Sequence, residues 1–360
     1  MPVKRRKKRK PLKFLKPHWQ EWFRAILIAV LIIILFRFFI FDLVSLSGSS
    51  MEGSLLSGDI IVAKKYNYGT RLPLRILPQN WVNLFFSTDT LPPVRHLPYL
   101  RLPGNRKIQY NDIILFNTPA FHQIPIDKRT PRAKRIAALP GDTISISKSF
   151  VYVNGNQQKV PEIIQFNYWV DTRRDIIDDD FLRQYGINEI SKMRGQNRFL
   201  FSLIPEMADS IKKLPGILRV QKSKQALITT NDNPFGKKNR SWTADDFGPV
   251  IIPRKGMTIQ LNPENLDLYF QSILYHERQM ISMRNDSVFI NGRLTNDYTF
   301  RMNYYFVIGD NRHNTSDSRT WGLVPENHVI GRVSGVFLSF DKNKGLFGRL
   351  RWNRIFAKVE

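Results

Sequence analysis

Two stretches of the sequence hold the residue types that acyl transfer requires. Serines crowd residues 45–55, where Ser50 directly precedes Met51, and Lys134 is followed by the small and apolar run 136–139. Acyl transfer needs a nucleophile, a base for its proton, and donors for the oxyanion. A lysine acts as a base only when it is neutral, which burial favours. These residue types are compatible with a serine nucleophile and a lysine base, but taken alone the first stretch equally fits a Ser/Gly linker and the second better fits an ordinary strand-edge lysine.

Other chemistries find less support in the sequence. The chain has six histidines, and His313, near Asp310 and Asp317, is the one candidate for a histidine base. No His/Asp/Glu cluster has metal-ligand spacing and no Gly-rich phosphate loop is present, so we expect neither a metal nor a cofactor. The absence of cysteine excludes disulfides and thiolate catalysis.

A third block, residues 309–325, begins Gly-Asp-Asn-Arg and contains Thr-Ser-Asp-Ser-Arg-Thr-Trp. Together with Ser50-Met51 and the block 134–142, Lys-Arg-Ile-Ala-Ala-Leu-Pro-Gly-Asp, it resembles bacterial signal peptidase I, the serine/lysine-dyad family S26, here with a long insert. The resemblance rests on the order and joint occurrence of these blocks.

This resemblance implies roles for particular residues. Ser50 would be the nucleophile, Lys134 the general base, and Thr315 the hydroxyl that orients the lysine. The oxyanion would bind the Ser50 N–H, while Gly48 stands where some members of the family have a second donor, a serine. Four residues would hold the site together: Asp310, Arg312, Asp317 and Arg319. Three others would line shallow pockets for small side chains, typically Ala, at the first and third positions before the cut: Leu46, Met51 and Ala133.

A membrane anchor is expected at residues 22–44, which are almost all apolar and long enough to span a bilayer. The basic run 4–10, within a predicted tail 1–21, should stay cytoplasmic, which places the remainder of the chain outside. A cleaved secretory signal is the competing interpretation. Cleavage there would fall inside or beside the Ser-rich stretch.

The remaining sequence predicts a mostly β fold. Residues 45–155 and 281–345 are expected to form a catalytic β core of the signal-peptidase type. Residues 156–280 would be an inserted accessory α+β domain, and 346–360 a basic, aromatic tail. The segments 141–155 and 256–292 each contain two strand-like runs, the second ending in Asn-Gly. They indicate either two related hairpins or a chance similarity between β sequences.

These features predict a single-pass serine endopeptidase of the bacterial inner membrane that removes signal peptides from exported preproteins. Its expected partners are signal peptides and the lipid bilayer. Nucleic acid is not expected despite the net charge of +25, because the densest basic run precedes the anchor. A self-cleaving repressor would need a helix-turn-helix in place of the anchor. A non-enzymatic, anchored envelope-binding protein is the other alternative.

Overall fold

The computed structural model describes residues 19–72, 98–159, 161–173, 177–185, 187, 190–193, 196–224, 234–235, 242–284, 287–341 and 349–359. The basic run 4–10 lies outside them. The α-helices are α1 Trp19–Phe39, α2 Asp179–Gln184, α3 Pro205–Lys212, α4 Pro263–Gln271 and α5 Ser318–Trp321. The strands are β1 Phe41–Ser45, β2 Asp59–Lys64, β3 Ile113–Asn117, β4 Pro131–Ala138, β5 Thr143–Ser147, β6 Phe150–Val153, β7 Asn156–Gln157, β8 Phe166–Thr172, β9 Ile190–Lys192, β10 Arg198–Leu203, β11 Ile217–Lys222, β12 Phe247–Ile251, β13 Thr258–Gln260, β14 Ile281–Arg284, β15 Ser287–Ile290, β16 Arg293–Leu294, β17 Asp297–Thr299, β18 Tyr304–Ile308, β19 Val324–Pro325 and β20 Val329–Ser339.

Helix α1 is the apolar helix expected at the N-terminal end. Within the described residues it alone is long and apolar enough to cross a membrane, with a mean hydropathy of 2.4 and no buried residue. It ends at Phe39, whereas the sequence predicted an anchor over 22–44. The end differs because β1 pairs antiparallel with β2, with Leu43 opposite Val62. The last apolar residues of the predicted anchor therefore belong to a sheet.

A seven-stranded sheet in the order β1-β2-β20-β3-β4-β18-β19 positions the sequence blocks 134–142 and 309–325. Strand β2 alternates buried and half-buried residues, the pattern of a sheet with one face on the core. Strands β3 and β18 are buried throughout, as is β4 from Ala133 onward. One apolar cluster includes Met51 and Ala133, and another includes Ile136 and Val307. Lys134 thus lies on a strand enclosed by apolar packing.

The two Asn-Gly turns form, but the two segments that contain them are not equivalent. Asn154 and Asn291 both have positive φ, as do the glycines that follow them, which suits tight hairpin turns. In the first segment β5 pairs with β6. In the second, β13 pairs with β17, while β15 pairs with β14 and β16. The prediction of two related hairpins is therefore wrong for the second segment, because long-range pairing replaces the local one.

A second, smaller core lies in the region predicted as an insert. Strands β8 to β11 form a sheet in the order β11-β8-β10-β9, and side chains such as Phe199, Phe201 and Ile211 pack among themselves. Residues 247–273 do not share this core: β12 pairs with β5, and Phe247 and Tyr269 pack with Phe306 of the main core. The separate core is thus smaller than the predicted insert, 156–280. The mostly β fold with one N-terminal apolar helix is confirmed.

Candidate active site

Ser50 is held in a tight turn that follows β1. Within this turn Glu52 N donates to Ser49 O at 2.8 Å, and Leu55 N donates to Met51 O at 2.8 Å. Ser50 O accepts from Asn311 N at 3.2 Å, so the turn is tied to the loop after β18. Among the described residues, the Ser50 N–H makes no hydrogen bond. That donor is available to a ligand.

Lys134 lies in the middle of β4 and faces this turn. Its Nζ is 2.5 Å from Ser50 Oγ and 2.8 Å from Thr315 Oγ1. The residue is 1% exposed. Burial lowers the pKa of Lys134 to about 7, although Asp317 and Asp310 favour the charged form. A large fraction of the lysine is therefore neutral near neutral pH, which is the form that can accept a proton.

Thr315 reaches Lys134 because the chain between β18 and α5 approaches Ser50 closely. A Cβ at Gly309 would lie 2.3 Å from Thr315 Oγ1 and 2.5 Å from Ser50 O. Both distances are shorter than real Cβ contacts, so only glycine allows this approach. Gly309 is a site residue that the sequence analysis quoted within its block without giving it a role.

Asp317 and Arg319 form the buried ion pair that fixes this loop. Arg319 Nη2 is 2.7 Å from Asp317 Oδ2, and its Nε donates to Asp317 Oδ1 at 2.8 Å. Asp317 also caps α5 and accepts from Gly309 N at 3.1 Å. Burial alone would raise the pKa of Asp317, but Arg319, Lys134 and these hydrogen bonds keep that pKa below its usual value. The carboxylate stays charged and orients both ends of the loop.

Asp310 pairs with Arg135, not with Arg312. Arg135 Nε donates to Asp310 Oδ1 at 2.8 Å and its Nη2 to Asp310 Oδ2 at 2.9 Å, a two-point contact between buried groups. Ser54 Oγ donates to the same carboxylate at 2.5 Å and accepts from Arg135 at 2.9 Å. These contacts lock the Ser50 turn to β4. Sequence reasoning missed Arg135 and Ser54.

Arg312 contributes through its backbone. Its carbonyl accepts from Arg319 Nη2 at 2.8 Å, and its N–H donates to Gln165 O at 2.9 Å. Burial, together with the neighbouring Arg319, lowers the pKa of Arg312 to about 10. The resemblance implied that the Arg312 side chain helps to hold the site together. Among the described residues, its guanidinium makes no hydrogen bond that would do so.

The chain entering β8 is hydrogen-bonded to the loop between β18 and α5, residues 309–317. Gln165 N donates to Asp310 O at 2.9 Å, which with the Arg312 contact makes a short parallel bridge opposite Asn311. Asn311 Nδ2 donates to Ser202 Oγ of β10 at 3.3 Å. The smaller core is thus attached directly to the loop that carries Thr315. We name this set of contacts, made by Gln165, Ser202 and residues 310–312, the insert junction.

His313 is engaged away from the candidate nucleophile. Its Nδ1 accepts from Asn167 N at 3.2 Å, so this nitrogen carries no proton, and its Nε2 lies 2.8 Å from Asp245 Oδ1. Asp245 in turn accepts from Ser149 Oγ. Both ring nitrogens therefore bond to groups other than Ser50, and Lys134 is the basic side chain that contacts the Ser50 hydroxyl.

The three expected pocket residues lie together on one side of the site. Met51 and Ala133 are buried in one apolar cluster, and Leu46 packs against it. Ser47 and Gly48 are exposed and make no backbone hydrogen bond within the described residues. Residues 131–134 pair with β3 but not with β18. Unpaired backbone therefore borders the site on two sides, the arrangement that an extended peptide can complete.

Gly48 has room for a side chain: a Cβ there would meet nothing within 4 Å. We expect Gly48→Ser to raise kcat by about tenfold, because a hydroxyl near the Ser50 N–H adds a second donor for the oxyanion. Steady-state cleavage of a peptide substrate measures this. Gly48→Ala, which adds the Cβ without a donor, should leave kcat unchanged; an equal gain in both variants would contradict the explanation.

Comparison with known proteins identifies the family. The model of the family "Signal peptidase, peptidase S26" matches residues 19–197 and 252–338. Signal peptidase I of Buchnera aphidicola subsp. Baizongia pistaciae (strain Bp) is 24% identical over 320 residues, 88% of this chain and 76% of the relative. Signal peptidase I of Helicobacter pylori (strain J99) is 23% identical over 367 residues, 97% of this chain and 96% of the relative.

The chain belongs to the signal peptidase family, peptidase S26, and is a signal peptidase. The matched residues include Ser50, Lys134 and the whole 309–325 block. They also include Gln165 and residues 310–312 of the insert junction, whereas Ser202 lies outside the matched ranges.

Proposed function

We propose that this chain is a membrane-anchored serine endopeptidase that removes signal peptides by a Ser50/Lys134 dyad. The observation that carries the proposal is the position of the Lys134 amine, buried between the hydroxyls of Ser50 and Thr315 at 2.5 and 2.8 Å. A buried amine with a pKa of about 7 is a competent base at neutral pH.

In the acylation step, neutral Lys134 takes the Ser50 proton while Oγ attacks the scissile carbonyl carbon. The carbonyl oxygen becomes an oxyanion that the Ser50 N–H stabilises. Collapse of the tetrahedral intermediate breaks the C–N bond, and the Lys134 ammonium returns its proton to the leaving amine. Water, deprotonated by the same lysine, then attacks the Ser50 ester and releases the signal peptide. Thr315 keeps the amine directed at Ser50 throughout.

The substrate would lie extended between the unpaired backbone at residues 47–48 and the edge of β4 at residues 131–134. The buried apolar cluster that contains Met51 and Ala133, with Leu46 packed against it, supports a preference for small side chains before the cut. Larger side chains would require this buried cluster to open, which costs apolar packing.

The direct test is processing of an exported preprotein by the purified full-length protein in detergent micelles. N-terminal sequencing of the product should place the cut after a small residue. A matched preprotein with Ala replaced by Phe immediately before the cut should be processed at least about 100-fold more slowly. Equal processing of both preproteins, or a cut elsewhere, would refute the assignment of specificity.

We also propose that α1 anchors the protein with its N-terminus in the cytoplasm. The length and hydropathy of α1 and the basic run that precedes it support this topology. Protease added to intact spheroplasts is expected to digest the region after residue 44 while an N-terminal epitope remains protected. An epitope that is digested while the peptidase region survives would reverse the topology.

A further inference from the structure

A cavity lined by cations lies where the body of the protein meets the end of α1. Its volume is about 260 Å³. Four basic side chains and two acidic ones line it: Arg37, Lys65, Arg71, Arg129, Asp42 and Asp127. The signal-peptidase reaction proposed above uses none of these residues.

Asp42 is already engaged with two of the cations. Its carboxylate is 3.5 Å from Arg37 Nε and 3.2 Å from Lys65 Nζ. Lys65 Nζ also donates to the carbonyl of Arg37 at 2.9 Å. These contacts join the last turn of α1 to β1 and β2, and they leave the charge of the two remaining arginines to be balanced by other groups.

Arg71 and Arg129 bond to neutral groups. Arg71 donates to Asn327 O and to Asn117 Oδ1, each at 2.8 Å. Arg129 is 8% exposed, and it donates to Ile124 O at 2.7 Å and to Pro119 O at 3.0 Å. Within the described residues neither guanidinium has a carboxylate within 4.0 Å, and Arg129 Nη2 makes no hydrogen bond.

Buried guanidinium groups without a counter-charge are costly, and an anion in the cavity would offset that cost. Burial, with Arg101 nearby, lowers the pKa of Arg71 to about 10, although Asp127 and Asp42 favour its charged form. Arginine also matches phosphate in geometry, because its planar donors can bond two oxygens at once.

The position of the cavity indicates which anion is at hand. Helix α1 has 21 residues, a length of about 31 Å, close to the thickness of the hydrocarbon core. Arg37 is in its last turn. A cavity bordered by Arg37 and by the first strand after the helix is therefore level with the lipid headgroups.

We propose that this cavity binds the phosphate of an anionic phospholipid headgroup between Arg37, Arg71 and Arg129. The proposal rests on the membrane anchoring proposed above. A bound phosphate would bridge a residue of α1 and two residues of the peptidase body. It would therefore help to fix the distance of Ser50 from the bilayer surface. The backbone at residue 40, between α1 and β1, is the other connection between the helix and the peptidase body.

The test uses the full-length protein carrying Ser50→Ala, so that lipid binding is measured independently of peptidase activity. Native mass spectrometry from detergent micelles counts retained lipid in mixtures of phosphatidylglycerol and phosphatidylcholine with matched acyl chains. We expect one phosphatidylglycerol to be retained in preference to phosphatidylcholine. Arg71→Gln and Arg37→Gln should each weaken this binding about tenfold, the effect of losing one charge-assisted hydrogen bond.

Arg219→Gln is the matched control. Arg219 is exposed on β11, so this substitution removes the same charge at a distant surface position. It should leave phosphatidylglycerol retention unchanged. Arg37, whose side chain is 65% exposed, provides a variant that does not disturb the core. The proposal would be overturned if the protein with wild-type cavity residues retained the two lipids equally. It would also be overturned if Arg219→Gln lost as much phosphatidylglycerol as Arg71→Gln or Arg37→Gln.

A second experiment distinguishes binding of a soluble anion from binding of a lipid. Inorganic phosphate and glycerol 3-phosphate at millimolar concentration are added to the same protein in zwitterionic micelles. If they raise the melting temperature as much as phosphatidylglycerol does and displace it, the site is for a free phosphate and the lipid proposal is wrong. A stabilisation by phosphatidylglycerol alone supports it.

Discussion

Lys134→Met is expected to fold and to lose signal-peptide processing by about 10⁴-fold in kcat/KM. Methionine keeps the length and the apolar character of the buried stem but has no lone pair that can take the Ser50 proton. Cleavage of a preprotein at pH 8, with circular dichroism as the check on folding, measures the effect. Lys134→Arg should be equally inactive, because arginine remains protonated.

The pH dependence of this prediction follows from the pKa of about 7 for Lys134. The wild-type rate should rise through pH 7 and reach a plateau as the amine loses its proton. Stability should rise as well: between pH 7 and about 10.4 the unfolded chain binds a proton that the folded lysine has lost, so the free energy of unfolding increases with pH in that window. Lys134→Met should abolish this slope, and its gain in stability over the wild type should be largest below pH 7.

Thr315 provides a graded control. Thr315→Ser keeps the hydroxyl that lies 2.8 Å from the amine and should retain most activity, whereas Thr315→Val should lose much of it. Substantial turnover by folded Lys134→Met would rule out the dyad. A wild-type rate that is independent of pH between 6 and 9 would also contradict a titrating lysine base.

Ser50→Ala is the second substitution for which we expect complete loss of processing, again by at least about 10⁴-fold. The adjacent Ser49→Ala is its control. Ser49 Oγ accepts from Asn314 Nδ2 at 3.2 Å, while Ser50 Oγ is the hydroxyl that meets Lys134. Ser49→Ala should therefore keep most of the activity, since it removes one exposed hydrogen bond.

The two serine variants are best compared by burst kinetics as well as by steady-state rates. The wild type should give a burst of mature protein, the amine product that acylation releases, whereas Ser50→Ala forms no acyl-enzyme and should give no burst. Should Ser49→Ala be inactive and Ser50→Ala active, the nucleophile would be Ser49 and the contact between Ser50 and Lys134 would be structural.

Short-range patterns in the sequence predicted the local elements well. The mostly β fold and the apolar helix at the N-terminal end are both confirmed. The end of α1 was predicted five residues too late, because an apolar run does not distinguish a helix from the strand that continues it. Only the pairing of β1 with β2, a contact between distant residues, decides where the helix stops.

The same limit applies to the candidate site. Ser50, Lys134 and Thr315 were named from their motifs, and the structure brings their side chains together. Nothing in the local sequence around Arg135 indicates that its side chain pairs with Asp310. That contact spans 175 positions. Partners of this kind follow from sheet register, which a single sequence does not encode locally.

The insert junction has a consequence for how this enzyme loses activity under denaturing stress. Gln165 and Ser202 belong to the region of the smaller core. They nevertheless hydrogen-bond to residues 310–311, in the loop between β18 and α5. Melting of the smaller core would release those bonds and free the loop that carries Thr315. Inactivation by urea is therefore expected to follow the unfolding of β8 and β10, at concentrations where the seven-stranded sheet still protects its amides from exchange.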